Sequence, residues 1–542
     1  MTTFRGPDPD TEPGIGAPTL GGLLEQCAAR HPQREALCFG SPGSMVRWPY
    51  GQLRAEARRV ARALMAAGAD KGTRVALLMG NRPEWVAATF GVAMAGGVLV
   101  PVNTFFEAPE IEHVLRHSDA ALVLHQARLG HHDYGAQLAE MAPRLPYLRS
   151  VVCMGGAQGD AFLAAGRAVD DAALDDRMAA VSPHDDALVI YTSGTTGEPK
   201  GVLHAHRAPA VQSWRFARQL GLDPEVRVWS AFPFFWTAGF CMVMGATLCA
   251  GGCLVLEELF EPGFALALLE AERVTTPHAW PHQSAAMEEH PDWPTRDLSA
   301  LRQVEAFTSF GRHPSVAVQD AWSPRAAYGL TETFTIVSSV PADTPASARH
   351  GHEGVILPGN AVRIVDPESG EALGPGRSGE IRVKGPTLMK GYLKVAPEDV
   401  FDEDGFFPTG DAGTVDEEGR LHWVGRTSEL IKTGGANVSP VEIETALLPH
   451  PGLQSASAVG VPHPTLGEMV VVCAVAHGDH VVDEAGVRAF LRGTLASYKI
   501  PRRILFFDEA ELEHTGSAKI RTDALRRLAQ ARLADEGAGA GA

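Results

Sequence analysis

Residues 191–202 read Tyr-Thr-Ser-Gly-Thr-Thr-Gly-Glu-Pro-Lys-Gly-Val, directly after the apolar run Ala187-Leu188-Val189-Ile190. The hydroxyls of Thr192, Ser193, Thr195 and Thr196 alternate with Gly194, Gly197 and Gly201, and Lys200 adds a positive charge. Glycine accepts positive φ, so a loop of this composition can turn successive backbone N–H groups toward one point. With hydroxyl donors and an ammonium beside them, such a concavity at the end of a strand suits a polyphosphate. It is not a Walker A loop, which needs Gly-Lys-Ser/Thr opening a helix; the chain has no Gly-Lys dipeptide. Taken alone, the same residues also read as an ordinary polar turn.

Further distinctive stretches follow at intervals. They are Tyr328-Gly329-Leu330-Thr331-Glu332-Thr333, Gly379 to Tyr392, Phe406-Phe407-Pro408-Thr409-Gly410-Asp411, Gly425-Arg426 and His514-Thr515-Gly516-Ser517-Ala518-Lys519. In order and content the set resembles the adenylate-forming superfamily, which includes acyl-CoA synthetases, the adenylation domains of peptide synthetases and luciferases. The resemblance spans roughly residues 20 to 525.

That resemblance implies ATP, Mg²⁺ and coenzyme A as cofactors. It assigns the phosphates to Thr192, Ser193, Gly194, Thr195, Thr196, Gly197 and Lys200, with Thr192 counted among the catalytic groups. Tyr328 would lie against the adenine, Gly329 would be a further AMP-binding residue, Thr331 would touch phosphate, and Glu332 would hold Mg²⁺, a hard cation that prefers carboxylate oxygen. Asp411 would accept both ribose hydroxyls, with Arg426 a second ribose or phosphate contact. Lys519 would bring its ammonium to the carboxylate and the α-phosphate; losing a contact of that kind costs about 10²- to 10³-fold in rate. The segment Gly379–Tyr392 takes a structural role. Ser428 matches a pivot about which the small domain rotates, and Lys432 to Ser439, with Gly434 and Gly435, resembles the loop lining the coenzyme A channel.

Four departures from the family pattern bear on substrate and rate. Trp236 stands where the family often has histidine, so an acid–base role there gives way to a wall or stacking role. Ala306-Phe307-Thr308-Ser309-Phe310-Gly311 replaces a glycine-rich turn, Ser428 replaces Asp or Lys at the pivot, and Ala518 replaces the glycine before Lys519. Trp236, Phe240, Phe307, Phe310 and Phe334 are expected to build an apolar acyl pocket.

These groups need a large scaffold. At 542 residues the chain has material for at least two domains. A formal net charge of −18 argues against a nucleic-acid partner, and the seven scattered cysteines read as reduced thiols of a cytoplasmic enzyme. Met1 to Gly21 lacks the apolar core of a signal peptide. Ala231 to Leu256 is uncharged and long enough to span a bilayer, but Pro233, Gly239, Gly245, Gly251 and Gly252 interrupt it and its flanks are not basic. It is read as buried strand, loop and helix, so no transmembrane segment is expected.

Leu53, Ala57, Val60 and Leu64 mark a helix over Tyr50–Gly68; strands follow at Arg74–Met79 and Val98–Val102, with a helix opened by Pro83 between them. Strands alternating with helices indicate a parallel α/β architecture. After about residue 360, short alternating runs at 362–365 and 380–383 predict antiparallel strands. Gly374–Gly379 matches a dinucleotide fingerprint in spacing only, because it lies between strands. Ser439, Pro440 and Glu442 form a capping box that opens a helix. The expected fold is α/β: a flexible tail over 1–20, then a large N-terminal domain over 21–427 whose β-sheets are flanked by helices, with a small β-barrel-like part. A smaller α+β C-terminal domain on a hinge covers 428–530, and 531–542 form a disordered tail.

The function expected is an ATP-dependent acyl-CoA ligase, of the kind fatty acid metabolism uses. ATP and an apolar acid (fatty, aryl or polycyclic) give acyl-AMP, and coenzyme A then takes the acyl group. A same-fold enzyme that performs one half-reaction, or loads a carrier protein, is the alternative; its partner would supply or take the adenylate. A non-catalytic acyl or nucleotide binder is the third reading. A homodimer is compatible with all three.

Overall fold

The computed structural model describes residues 2–192, 199–305, 308–318, 326–341, 344–427, 429–433, 436–464, 466–478, 481–492, 495, 499–513 and 520–539. Continuous apolar runs become strands buried on both faces, as expected of parallel sheets. Along Asp186–Thr192, Leu188 and Ile190 enter one core while Val189 and Tyr191 enter another. This is the two-residue period of a strand at work. Arg74–Leu78 repeats it, with Val75 and Leu77 on the first face and Ala76 and Leu78 on the second.

The chain forms two compact units, the larger made of Arg5–Ala361 and Val383–Phe407. Its seven-stranded sheet orders Gly391–Tyr392, Lys200–Ala205, Asp186–Thr192, Val98–Pro101, Arg74–Leu78, Leu122–His125 and Ser150–Cys153. The last five strands are parallel, and the two before them are antiparallel additions at one edge. A second sheet orders Thr276–His278, Arg227–Ser230, Cys253–Leu256, Glu35–Ser41 and Ser44–Pro49. Helices Leu20–Arg30, Tyr50–Ala66, Pro83–Met94 and Arg207–Gln219 contribute to the first core. The helix expected at Tyr50, the strands on either side of Pro83 and the helix that Pro83 opens are all present. A three-stranded antiparallel sheet, Ala327–Leu330, Thr335–Ser339 and Val355–Ile356, carries the 328–333 stretch.

The smaller unit is Met1–Phe4, Val362–Arg382 and Pro408–Ala542, so residue 427 falls inside it. One of its sheets orders Phe4–Arg5, Ala361–Val365, Gly379–Lys384, Phe407–Val415 and Leu421–Arg426. The other is built on Gly467–Ala476, whose Val470, Val472 and Ala474 face one core and Val471, Cys473 and Val475 the other. Helices Pro440–Leu447 and Glu484–Arg492 cover the first face, and Thr522–Gly539 covers the second. At Pro440 the expected cap forms by half. Ser439 Oγ accepts from Glu442 N at 3.3 Å, but the Glu442 carboxylate turns to Lys499 Nζ, 2.5 Å away.

Both chain ends differ from expectation. Within residues 2–20, Glu12 pairs with Arg215 at 2.8 Å, their side chains 6 % and 3 % exposed. Composition cannot show that a lone glutamate will meet a buried guanidinium far along the chain. At the other end the expected disordered tail 531–542 is helical as far as Gly539. Alanine is the strongest helix former, and Leu525 and Ala529 anchor the helix to the sheet. Ala231–Leu256 resolves into a loop, a buried π-helical segment Ala238–Gly245, the helix Ala246–Ala250 and the strand Cys253–Leu256. Among the described residues no helix is long and apolar enough to cross a membrane.

Candidate active site

The hairpin formed by Asp186–Thr192 and Lys200–Ala205 pairs Thr192 with Lys200 at its tip. Ser193 to Gly197 lie outside the described residues. Lys200 Nζ stands 5.5 Å from the ring centroid of Tyr392, a cation–π distance. Tyr392 in turn donates from its hydroxyl to Glu332 Oε1 at 2.7 Å. The structure thus brings together Thr192, Lys200 and Glu332, three of the residues singled out from sequence, through a tyrosine of the segment given only a structural role.

Glu332 sits in the 3-10 turn Thr331–Thr333, and the surrounding backbone is held from several sides. Met389 N donates to Glu332 O at 2.7 Å, and His204 Nε2 donates to Thr331 O at 2.8 Å. A carbonyl can only accept, so His204 carries its proton on Nε2 and Nδ1 is bare. Burial pushes the His204 pKa down to about 3 and keeps the ring neutral. Gln212, fully buried on the helix Arg207–Gln219, donates from Nε2 to Ile336 O at 2.7 Å and to Thr333 O at 3.2 Å. After the turn Phe334 and Thr335 adopt φ of 47° and 86°, the left-handed region that costs most for a β-branched residue. Gly329 is obligatory here, since a Cβ on it would meet Thr335 O at 1.6 Å. Tyr328 is buried, with 5 % exposure, on the adjoining strand.

In the smaller unit Asp411 and Arg426 are opposed across neighbouring strands, with Arg426 Nε 3.0 Å from Asp411 Oδ1. Arg426 Nη1 also donates to Thr409 O at 3.1 Å, and Thr409 Oγ1 accepts from Asp411 N at 3.1 Å. The carboxylate is only 4 % exposed, so the guanidinium beside it offsets its desolvation. Lys432 is on the strand Ile431–Thr433 and its N–H donates to Glu468 Oε2 at 2.8 Å. Lys519, Ser428, Gly434 and Gly435 lie outside the described residues, as does Phe307.

Of the five expected pocket residues four are described, and their ring contacts differ. Phe240 and Phe334 meet edge-on with centroids 5.7 Å apart, and both are fully buried. Phe310 instead packs with Trp293, 6.1 Å away, in a different core. Trp236 faces Phe235 and the half-exposed Phe105, at 5.1 and 5.8 Å. A spacing of aromatic residues along the chain says nothing about which core each one enters. At the C-terminal ends of the parallel strands Arg227–Ser230 and Thr276–His278 the fold assembles another group: Phe232 lies 4.3 Å from Trp280 and 6.0 Å from His278. That end of a parallel sheet is where ligands bind. Burial pushes His278 down to about 4, so it too is a neutral ring at neutral pH.

The donor set fits Mg²⁺ as that ion is usually held. Mg²⁺ binds through one or two carboxylates and substrate phosphates, without a full protein cage. Among the described residues Glu332 belongs to no three-residue ligand cluster and is bonded by a neutral hydroxyl.

Residues 24–393 match the family described as AMP-binding enzyme, and residues 442–519 match the AMP-binding enzyme C-terminal domain. A feruloyl-CoA synthase of an Amycolatopsis species is 35 % identical over 488 residues, covering 88 % of this chain and 93 % of that protein. An indoleacetate–CoA ligase of Aromatoleum aromaticum is 32 % identical over 502 residues, covering 90 % of this chain and 95 % of its own. Among solved structures, the anthranilate CoA ligase AuaEII in complex with anthranoyl-AMP superposes with a TM-score of 0.78 at 25 % identity, covering 96 % of this chain and 98 % of that one. The chain belongs to the AMP-binding enzyme family and is an acid–thiol ligase of the acyl-CoA synthetase type.

Proposed function

We propose that the protein joins an apolar carboxylic acid to coenzyme A in two steps. The acid's carboxylate attacks the α-phosphorus of ATP, giving acyl-AMP and pyrophosphate; the thiol of coenzyme A then attacks the acyl carbon and AMP leaves. The observation that carries this reading is the array Thr192, Lys200, Tyr392 and Glu332. It sets a hydroxyl, an ammonium and a carboxylate at the tip of one hairpin and the turn beside it. Two anions must approach each other in the first step, and fixed positive groups and donors lower that barrier electrostatically. Lys200, Thr192, Thr331 and the loop 193–197 would meet the phosphates, and Tyr328 the adenine, with Gly329 beside it in the chain among the AMP-binding residues. Glu332 would hold Mg²⁺, which when bound neutralises phosphate charge.

Asp411 is assigned to the ribose hydroxyls and Lys519 to the developing charge at the α-phosphate. The smaller C-terminal part from residue 428 would turn about Ser428 to change from the first step to the second, with Lys432, Gly434 and Gly435 at the coenzyme A arm. For the acid, an aromatic ring system is favoured. The group Phe232, Trp280 and His278 offers ring faces at a sheet end, and both named relatives act on acids that carry one.

Acid-dependent AMP release with and without coenzyme A tests this, on a panel of fatty, aryl and polycyclic acids and again with synthetic acyl-AMP. Turnover from free acid that depends on coenzyme A supports the complete ligase. A second reading, thioester formation only, rests on Ala518 in place of a glycine before Lys519, because the Cβ narrows the backbone angles open to that residue. Turnover from acyl-AMP alone would select it.

A further inference from the structure

Helix Ala108–His117 lies against the second face of the seven-stranded sheet, where Ile111, Val114 and Leu115 share a core with Tyr191. The alternation of the strand Asp186–Thr192 puts Tyr191 on that face. His117 Nδ1 lies 2.9 Å from the Tyr191 hydroxyl. One helical turn earlier, His113 Nε2 donates to Pro199 O across 3.4 Å. The two imidazoles stack with centroids 5.5 Å apart and 13° between their planes. One face of one helix therefore reaches one strand of the hairpin and the residue that leads into the other. Each contact falls on the residue just before a site residue: Tyr191 before Thr192, Pro199 before Lys200.

The helix is itself firmly placed. Glu107 N donates to Glu110 Oε2 at 3.0 Å in a capping box, and Glu112 bridges Arg116 and Arg144 at 2.6 and 2.7 Å. A hairpin tip left to itself would sample several twists, each moving Thr192 relative to Lys200. Two hydrogen bonds from a rigid helix remove that freedom before the nucleotide arrives, which is the source of affinity in a preorganised site.

The geometry points to His113 and His117 as positioning residues for ATP: acting through Pro199 and Tyr191, they fix the spacing of Lys200 and Thr192. This rests on the proposed reading of that hairpin as the phosphate end of the ATP site. Isosteric variants separate a hydrogen-bonding role from a filling one, because the asparagine amide reproduces the Nδ1 edge of histidine and the glutamine amide reaches the Nε2 position.

The test compares His113→Ala and His117→Ala with His113→Gln and His117→Asn. It measures the KM for ATP in acyl-AMP formation and, separately, thioester formation from synthetic acyl-AMP and coenzyme A. Each alanine variant is expected to raise the KM for ATP about fivefold, the equivalent of one hydrogen bond of ~1 kcal/mol. The isosteres should return it to within about twofold of the parent, and the second half-reaction, which uses no triphosphate, should not move. Alanine variants with an unchanged KM for ATP would overturn the proposal. So would variants that lose both half-reactions in step, with the isosteres no better than alanine. A parent protein with turnover from neither ATP nor acyl-AMP would refute the proposed function and the positioning role with it; parent turnover with unmoved variants would refute the positioning role alone.

Discussion

Gln212 supports the Glu332 turn from within the core, and replacing it separates hydrogen bonding from packing. Its Nε2 donates to Ile336 O at 2.7 Å and to Thr333 O at 3.2 Å, with Thr387 Oγ1 more distant at 3.4 Å. Gln212→Leu keeps nearly the same volume, so the cavity contribution is small and the loss is that of two donors to buried carbonyls. Depriving a buried acceptor of its donor costs ~1–3 kcal/mol. Two such losses give ~2–6 kcal/mol, with the long Thr387 contact adding little. The same carbonyls flank Phe334 and Thr335, whose left-handed backbone (φ 47° and 86°) persists only while its surroundings over-determine it. Loosening them frees the turn that carries Glu332, so kcat/KM should fall about tenfold or more along with stability. Urea unfolding followed by tryptophan fluorescence reads the first effect and acid-dependent AMP release the second. Gln212→Glu is the decisive companion. At pH 7 it removes the donor and sets a carboxylate against the same acceptors, so it should be worse than leucine despite its closer shape. If Gln212→Glu matches the parent in stability, or if Gln212→Leu loses less than about 0.5 kcal/mol, the hydrogen-bond account is wrong.

Removing the Lys519 ammonium by Lys519→Ala should slow acyl-AMP formation about 10²- to 10³-fold and leave thioester formation from supplied acyl-AMP near the parent rate; equal losses in both assays would refute the role. Tyr392→Phe deletes the 2.7 Å hydrogen bond to Glu332. A bond to a charged group contributes ~1.5–3 kcal/mol, so the expected loss in kcat/KM is about tenfold or more, with a shifted Mg²⁺ requirement; unaltered Mg²⁺ dependence would detach Glu332 from the metal. His206 is fully buried, neither ring nitrogen has a hydrogen-bond partner among the described residues, and burial pushes its pKa down to about 4, partly opposed by Asp185 and Asp186. The fold accepts only the neutral ring, so this contribution to stability is complete above pH 6.5 and is lost as pH falls below it, at ~1.4 kcal/mol per pH unit down to about 4. His206→Leu should therefore flatten the acid limb of stability against pH in urea titrations between pH 6.5 and 4.5, and an unchanged slope would contradict it.

Much of the larger unit was legible because local chemistry decides it. An apolar run with period two on both faces is a buried strand, and Pro83 suits the first turn of a helix but not its interior. The ordered stretches from Thr192 to Lys519 carried the family in the same way, since each needs its residue types close together in the chain. Residues 531–539 misled for the opposite reason: low complexity suggested disorder, whereas helix propensity and two apolar anchors on a neighbouring sheet produce a helix.

The pocket residues show the limit most clearly. Phe240, Phe310, Phe334 and Trp236 are alike as residue types, yet they are sorted among different surroundings by contacts with Trp85, Trp293, His204 and Phe105. Gln212, His113 and His117 carried no signal in the sequence, and Tyr392 stood only at the end of a segment given a structural role. Each is one ordinary residue whose partner lies 60 to 124 positions away, as between Tyr392 and Glu332 or between Gln212 and Ile336. The sequence by itself determined which elements form and which chemical groups they carry, because those follow from neighbours along the chain. Only the tertiary structure decided which buried side chain donates to which carbonyl, because a hydrogen bond depends on a separation of about 3 Å that no spacing in sequence encodes.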